Sequence, residues 1–126
     1  MPGKANWNYT AAELQLQDFE KVHAGWDGEG SLPVKASSCE DARALLAACS
    51  VNSIEAPTLT MDEQGSVALV WSASDYFIAA DCPGDGRYAF AAGEGAEITE
   101  DGIFAASGIH PQLLRILRQH FSDRVK

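Results

Sequence analysis

Val67-Ala68-Leu69-Val70-Trp71-Ser72, Tyr76-Phe77-Ile78-Ala79-Ala80-Asp81-Cys82 and Arg87-Tyr88-Ala89-Phe90-Ala91-Ala92 are three apolar runs separated by short polar breaks. In the first run Val67, Leu69 and Trp71 fall on one face and Ala68 and Val70 on the other. In the second Tyr76, Ile78 and Ala80 share a face, and in the third Tyr88 and Phe90 do. A period of two is the signature of strands. Pro83-Gly84-Asp85-Gly86 is a strong turn signal between the last two runs. Such short connections allow antiparallel hairpins and leave no room for parallel crossovers. Upstream, Thr58 to Met61 reads as a further strand, ended by Asp62-Glu63-Gln64-Gly65.

The segments flanking this block read as helices. Thr10-Ala11-Ala12-Glu13 has the form of a capping box, and Leu16, Phe19, Val22 and His23 follow at helical spacing up to about Ala24, with Gly25 as a stop. Residues 1–9 before it read as an irregular lead-in to a single domain over 10–126. Ser37-Ser38-Cys39-Glu40 forms a second capping box, and Cys39, Ala42, Leu45, Leu46 and Cys49 share a face of the helix it would open. Near the end, Pro111 suits the first turn of a last helix. Leu113, Leu114, Leu117 and Phe121 make its apolar stripe, with Ile116 beside it. The expected fold is therefore α+β: two N-terminal helices, an antiparallel β-meander of four strands, and a C-terminal helix packed on the sheet. A fifth strand is allowed at Glu94 to Gly102, a stretch with four acids and no base that reads equally as a solvated loop.

The aromatic face of this sheet should cover the helices. The opposite face would be lined by Ala68, Val70, Phe77, Ala79, Ala89 and Ala91, with few charges besides Asp81 and Arg87. A one-layer antiparallel sheet usually shows water a polar face. An apolar one suggests burial against the last helix, a second copy or a partner.

Charge narrows the partners. The 126 residues carry a net charge of −9. From Ile109 onward Arg115, Arg118, Arg124 and Lys126 stand against Asp123, a net +3, which leaves −12 on residues 1–108. An acidic body repels phosphate backbones, so direct nucleic-acid binding is not expected, whereas a cationic protein partner is electrostatically allowed. Glu94, Glu97, Glu100 and Asp101 form the densest acidic stretch. No apolar run is long enough for a membrane span, and nothing near Met1 resembles a secretory signal, so the expected address is the cytoplasm. Three cysteines, Cys39, Cys49 and Cys82, read as reduced buried thiols; the first two stand roughly 15 Å apart along one helix.

Gly25-Trp26-Asp27-Gly28-Glu29-Gly30-Ser31-Leu32-Pro33 joins the first two helices. Its glycines permit positive φ, and Trp26 offers a large apolar anchor. Trp26, Asp27, Gly28, Glu29, Gly30 and Pro33 are thus a candidate structural or interaction motif, with Trp26 as a core plug and Asp27 as a turn cap. The octapeptide Trp26 to Pro33, followed by a helix and by a strand ending in Val70-Trp71, resembles a group of small uncharacterised bacterial and phage-type proteins with the pattern W-D-G-x-G-[AS]-x-P. The likeness spans roughly residues 14–92. In that group an acid often precedes the strand tryptophan, where this chain has Val70. The resemblance implies the fold and carries over no catalytic residue.

Catalytic constellations are sparse. His23, Asp27 and Glu29 are the one close group of histidine and carboxylates, and their spacing fits no metal site. The pairs Asp62/Glu63 and Glu100/Asp101 fall in expected turns, which do not desolvate a carboxyl for acid–base work. Gly84-Asp85-Gly86 and Gly93-Glu94-Gly95 lack the lysine and the strand–loop–helix setting of a phosphate cradle. No Gly-x-Ser-x-Gly motif accompanies His23, His110 and His120. The sequence thus points to a small, acidic, non-enzymatic interaction or regulatory module without cofactor or metal, binding a protein or itself. Two alternatives stand beside it. One is a mobile-element-encoded inhibitor, anti-CRISPR-like, whose acidic surface imitates nucleic acid. The other is a small ligand-binding protein or enzyme using the Trp26 to Pro33 loop, with His23 and Asp27 as its polar groups.

Overall fold

A computed structural model describes residues 3–22, 25, 26, 28 and 30–121, with side chains from residue 9 onward among these. The chain runs α1 (Gly3–Phe19), α2 (Ala36–Val51), β1 (Thr58–Met61), β2 (Val67–Ala73), β3 (Tyr76–Cys82), β4 (Arg87–Glu94), β5 (Glu97–Ala105) and α3 (Pro111–His120). The five strands form one antiparallel meander in chain order. The α+β expectation holds, and the acidic stretch 94–102 resolves into a β-turn and the fifth strand.

The alternation of β2, β3 and β4 sets two unlike faces. On the inner face the register lines up Leu59, Leu69, Ala80 and Phe90 in one row and Trp71, Ile78 and Ala92 in the next. All seven are at most 2% exposed. Against them pack Cys39, Ala42, Leu45, Leu46 and Cys49 of α2, Ala12 and Leu16 of α1, and Leu113, Ile116 and Leu117 of α3. Trp71 stays dry because its indole N–H donates to the Glu55 carbonyl at 2.7 Å, just upstream of β1. Tyr88, fully buried, accepts the His110 N–H at 3.1 Å, and His110 in turn caps α3 by accepting the Gln112 N–H on Nδ1. His110 stacks on Phe104 at 3.6 Å and His120 on Tyr76 at 3.8 Å. These contacts lay α3 on the inner face. The outer face is therefore not covered by the last helix, one of the three coverings its composition suggested.

The lead-in is a correction. Residues 3–9 belong to α1, which starts well before Thr10 and ends at Phe19 rather than near Ala24. No proline or glycine interrupts the chain between Gly3 and Phe19, so the helix has no reason to wait for Thr10. Glu13, assigned to a capping box, instead pairs with Arg43 of α2. The second box fails for a similar reason. α2 opens at Ala36 with Lys35 as N-cap and no side-chain cap, while Ser38 is fully buried. The β3–β4 turn sits over this helix end. Gly84 lies at φ +97°, and a Cβ there would stand 2.5 Å from Ser37 Oγ and 2.9 Å from Ser38 Oγ. Lys35 Nζ donates to the Pro83 carbonyl, and the Gly86 N–H donates to Asp41, which fixes the turn on α2.

Candidate interaction site

The outer face is built by the other half of the same alternation. Val70, Ala79, Ala91 and Asp101 form one cross-strand row, Ala68, Asp81, Ala89 and Ile103 the next, and Ser72, Phe77, Gly93 and Ile98 the third. All six residues singled out from sequence, Ala68, Val70, Phe77, Ala79, Ala89 and Ala91, thus share one surface. Five are half-buried by their neighbours and Ala89 is exposed. Among the described residues no helix packs on this face. It carries a shallow groove of about 470 Å³ whose floor is Ala79, Ala89 and Ala91 and whose walls include Asp81, Asp101 and Ile103.

Two large apolar side chains of β5 stand on this face, Ile103 at the groove with 64% exposure and Ile98 in the neighbouring row with 57%. Neither was singled out from sequence as a surface residue. The signal was their parity within β5, which could not be read while 94–102 was open between loop and strand. Asp81 is half-buried beside the groove. Burial pushes its carboxyl above the usual range, the nearby Asp62 charge adds to this, and Lys35 opposes it.

The acidic candidates do not form one surface. Glu94 and Glu97 pair across the β4–β5 turn on the same side as Tyr76, and Glu100 pairs with Ala92 on the inner side. Glu100 is held there by Arg115 at 3.0 Å and Gln112 at 3.3 Å. Asp101 alone of the four points to the outer face. Alternation separates Glu100 from Asp101, and a bulge opposite Ala92 and Gly93 carries Glu97 to the side of Glu100. Gly93 is essential to it, because a Cβ at that position would collide with the Glu97 carbonyl oxygen.

The Trp26 loop is closed on itself. The indole N–H donates to the Leu32 carbonyl at 2.7 Å, and the Gly25 N–H donates to the Ser31 carbonyl at 2.9 Å. Gly25, Gly28 and Gly30 all take positive φ, between 85° and 103°. The Leu32 N–H donates to the Glu63 carbonyl, and Lys35 N–H to Gly65, so the loop is docked on the β1–β2 turn. Trp26 is half-buried and does not join the core cluster, which corrects its reading as a core plug: its polar edge is spent on its own loop. Gly28, Gly30 and Pro33 are exposed. Asp27, Glu29 and His23 lie outside the described residues.

A second concavity, about 510 Å³, lies between α1 and α2, lined by Tyr9, Leu14, Arg43 and Ala47 among others. Arg43 is held there by Glu13 and Glu20. Among the described residues no group of histidine, cysteine and carboxylate side chains could hold a metal ion. All three cysteines are buried and free; burial pushes the Cys49 and Cys82 thiols up to about 12. Among the described residues no helix is long and apolar enough to cross a membrane.

Comparison with protein families, with curated proteins and with solved structures finds no match for this chain.

Proposed function

We propose that the protein is a small, acidic, non-enzymatic interaction module that engages a protein partner through the outer face of its sheet. One observation carries this reading. The inner face is sealed by three helices, while the outer face pairs an alanine floor with exposed Ile98 and Ile103 and only two carboxylates at the groove. A solvated sheet face is ordinarily polar. An apolar patch rimmed by charge is the usual mark of an interaction surface. The small side chains of Ala79, Ala89 and Ala91 let a partner approach the backbone closely, and Asp81 and Asp101 favour a partner with cationic groups at the rim.

The division of Glu94, Glu97 and Glu100 from Asp101 speaks for local charge complementarity over imitation of a nucleic-acid backbone, which asks for one continuous acidic surface. The Trp26 loop serves this reading as scaffold, since its indole N–H is already bonded to Leu32.

The test is binding by a face variant. Ala89→Arg fills the exposed centre of the groove and places a cation beside Asp81. A purified partner that binds the wild type should bind this variant at least tenfold more weakly, the size expected for loss of a central contact, with the melting temperature unchanged. Equal binding by both proteins would contradict the reading.

A further inference from the structure

The two edges of the sheet are unlike. The β1 edge is short, four residues, and a side chain takes one of its outward groups. Asp62 N–H donates to the Ser66 carbonyl in the register that pairs Leu59 with Leu69. Hydrogen-bonded pairs recur every second residue in an antiparallel ladder. The backbone groups of Leu59 therefore turn outward, and Gln15 Nε2 donates to that carbonyl at 3.1 Å.

At β5 the same alternation leaves an open edge. Ala106 N–H donates to the Gly86 carbonyl at 2.9 Å, in the register that pairs Arg87 with Ala105. The backbone groups of Gly102 and Phe104 thus turn toward β4, and those of Asp101, Ile103 and Ala105 turn away. Among the described residues no hydrogen bond reaches these outward groups. β5 is nine residues long, and the stretch 101–105 lies beyond the bulge and is regular. A long exposed edge is a template for a further strand.

We propose that this edge receives an extended cationic segment of a protein partner as an added antiparallel strand, paired along 101–105. The inference rests on the reading of the outer face as the interaction surface and names its occupant. Charge decides between occupants. A second copy, of net charge −9, paired antiparallel along 101–105 would set its Ala105 opposite Asp101 and offer that carboxylate no cation, whereas an opposite-charge pair there is favourable. A segment with a basic residue opposite Asp101 and an apolar residue opposite Ile103 satisfies both outer side chains. Its intervening residue lies opposite Gly102, whose side-chain space is already filled by the Phe104 and Phe90 rings. The segment extends the alanine-floored face by one strand.

The probe is a synthetic peptide of Lys-Thr-Val-Thr repeats, which sets lysine and valine two positions apart on one side of an extended strand, titrated into the full-length ¹⁵N-labelled protein. Amide shifts should concentrate at 101–105, with slowed hydrogen exchange at Asp101, Ile103 and Ala105. Replacing the peptide's lysines by glutamates should abolish binding. Ile103→Pro removes one outward N–H and no bond within the sheet, a change that edge strands tolerate. It should weaken the peptide roughly tenfold or more, while Ile103→Val, which keeps the N–H, should change affinity less than about threefold. Shifts confined to Ala79, Ala89 and Ala91, with Ile103→Pro binding as well as wild type, would overturn strand addition and leave the outer-face reading standing. No shift at 101–105 would also overturn it. Loss of binding in Ala89→Arg is the separate measure of the outer face.

Discussion

Gln15 of α1 donates its side-chain N–H to the Leu59 carbonyl of β1 at 3.1 Å. This single bond ties the first helix to the first strand and occupies an outward acceptor of an edge. Its partner at the other side of the sheet has no counterpart among the described residues. β5 is thus the longer and less occupied edge, and the apolar outer face runs up to it.

Gln15→Ala should therefore destabilise the fold by about 1 kcal/mol, the net value of one neutral hydrogen bond. Urea denaturation measures it. Binding at the outer face should be unaffected, because α1 packs on the inner side.

Trp71→Phe removes both bulk and the bond to Glu55. Trp71 is 2% exposed and its N–H is 2.7 Å from that carbonyl. Cavity and lost hydrogen bond together should cost about 2–4 kcal/mol. A change below about 1 kcal/mol in thermal or urea unfolding would show that the Glu55 segment is not held by this contact.

Gly93→Ala should be among the most damaging single changes in the sheet. Its Cβ would collide with the Glu97 backbone, which cannot swing away as a side chain could. We expect a loss of about 2 kcal/mol or more, with amide shifts running along β5 as the bulge rearranges. Gly95→Ala, at φ +58° with open space around it, should cost only about 1 kcal/mol. Circular dichroism melts of the two variants order them.

High pH should unfold the protein through its thiols. Cys49 and Cys82 ordinarily ionise near 9.0 and are pushed up to about 12, by burial first. Between these values the unfolded chain has lost protons that the folded chain keeps. Stability is therefore full below about pH 9 and falls as pH rises toward 12, by up to about 1.4 kcal/mol per unit for each thiol. A flat urea midpoint from pH 8 to 10.5 would contradict the burial of these groups. At pH 8 the native protein should also resist thiol-specific reagents that label all three cysteines once it is unfolded.

The fold was legible wherever the period was strong. Val67, Leu69, Trp71, Ile78, Ala80, Tyr88 and Phe90 alternate cleanly, and each lies on the inner face that its parity assigned. The α2 stripe from Cys39 to Cys49 is buried residue for residue. The same parity brought Ala68 through Ala91 onto one outer face. What failed was local chemistry that the tertiary structure reused. Thr10 and Glu13 have the spacing of a cap but sit inside a longer helix, where Glu13 answers Arg43. Trp26 is large and apolar, yet its N–H closes its own loop. β5 was ambiguous because its charges obscure the alternation and Thr99 bulges out of it, so Ile98 and Ile103 could not be placed on a face from sequence. The bond from Gln15 to the β1 edge, and the capping of α3 by His110 under the Tyr88 hydroxyl, depend on residues 44 and 22 positions apart and leave no local signal.

The most direct test of the account is capture of a protein from the native lysate by the tagged wild type, by Ala89→Arg on the outer face and by Ala47→Arg on the exposed side of α2, with each variant's folding checked. The account predicts a stoichiometric protein held by the wild type and by Ala47→Arg, weakened by salt, and lost with Ala89→Arg. Capture of the same protein by Ala89→Arg at wild-type level, or no captured protein at all, would contradict it.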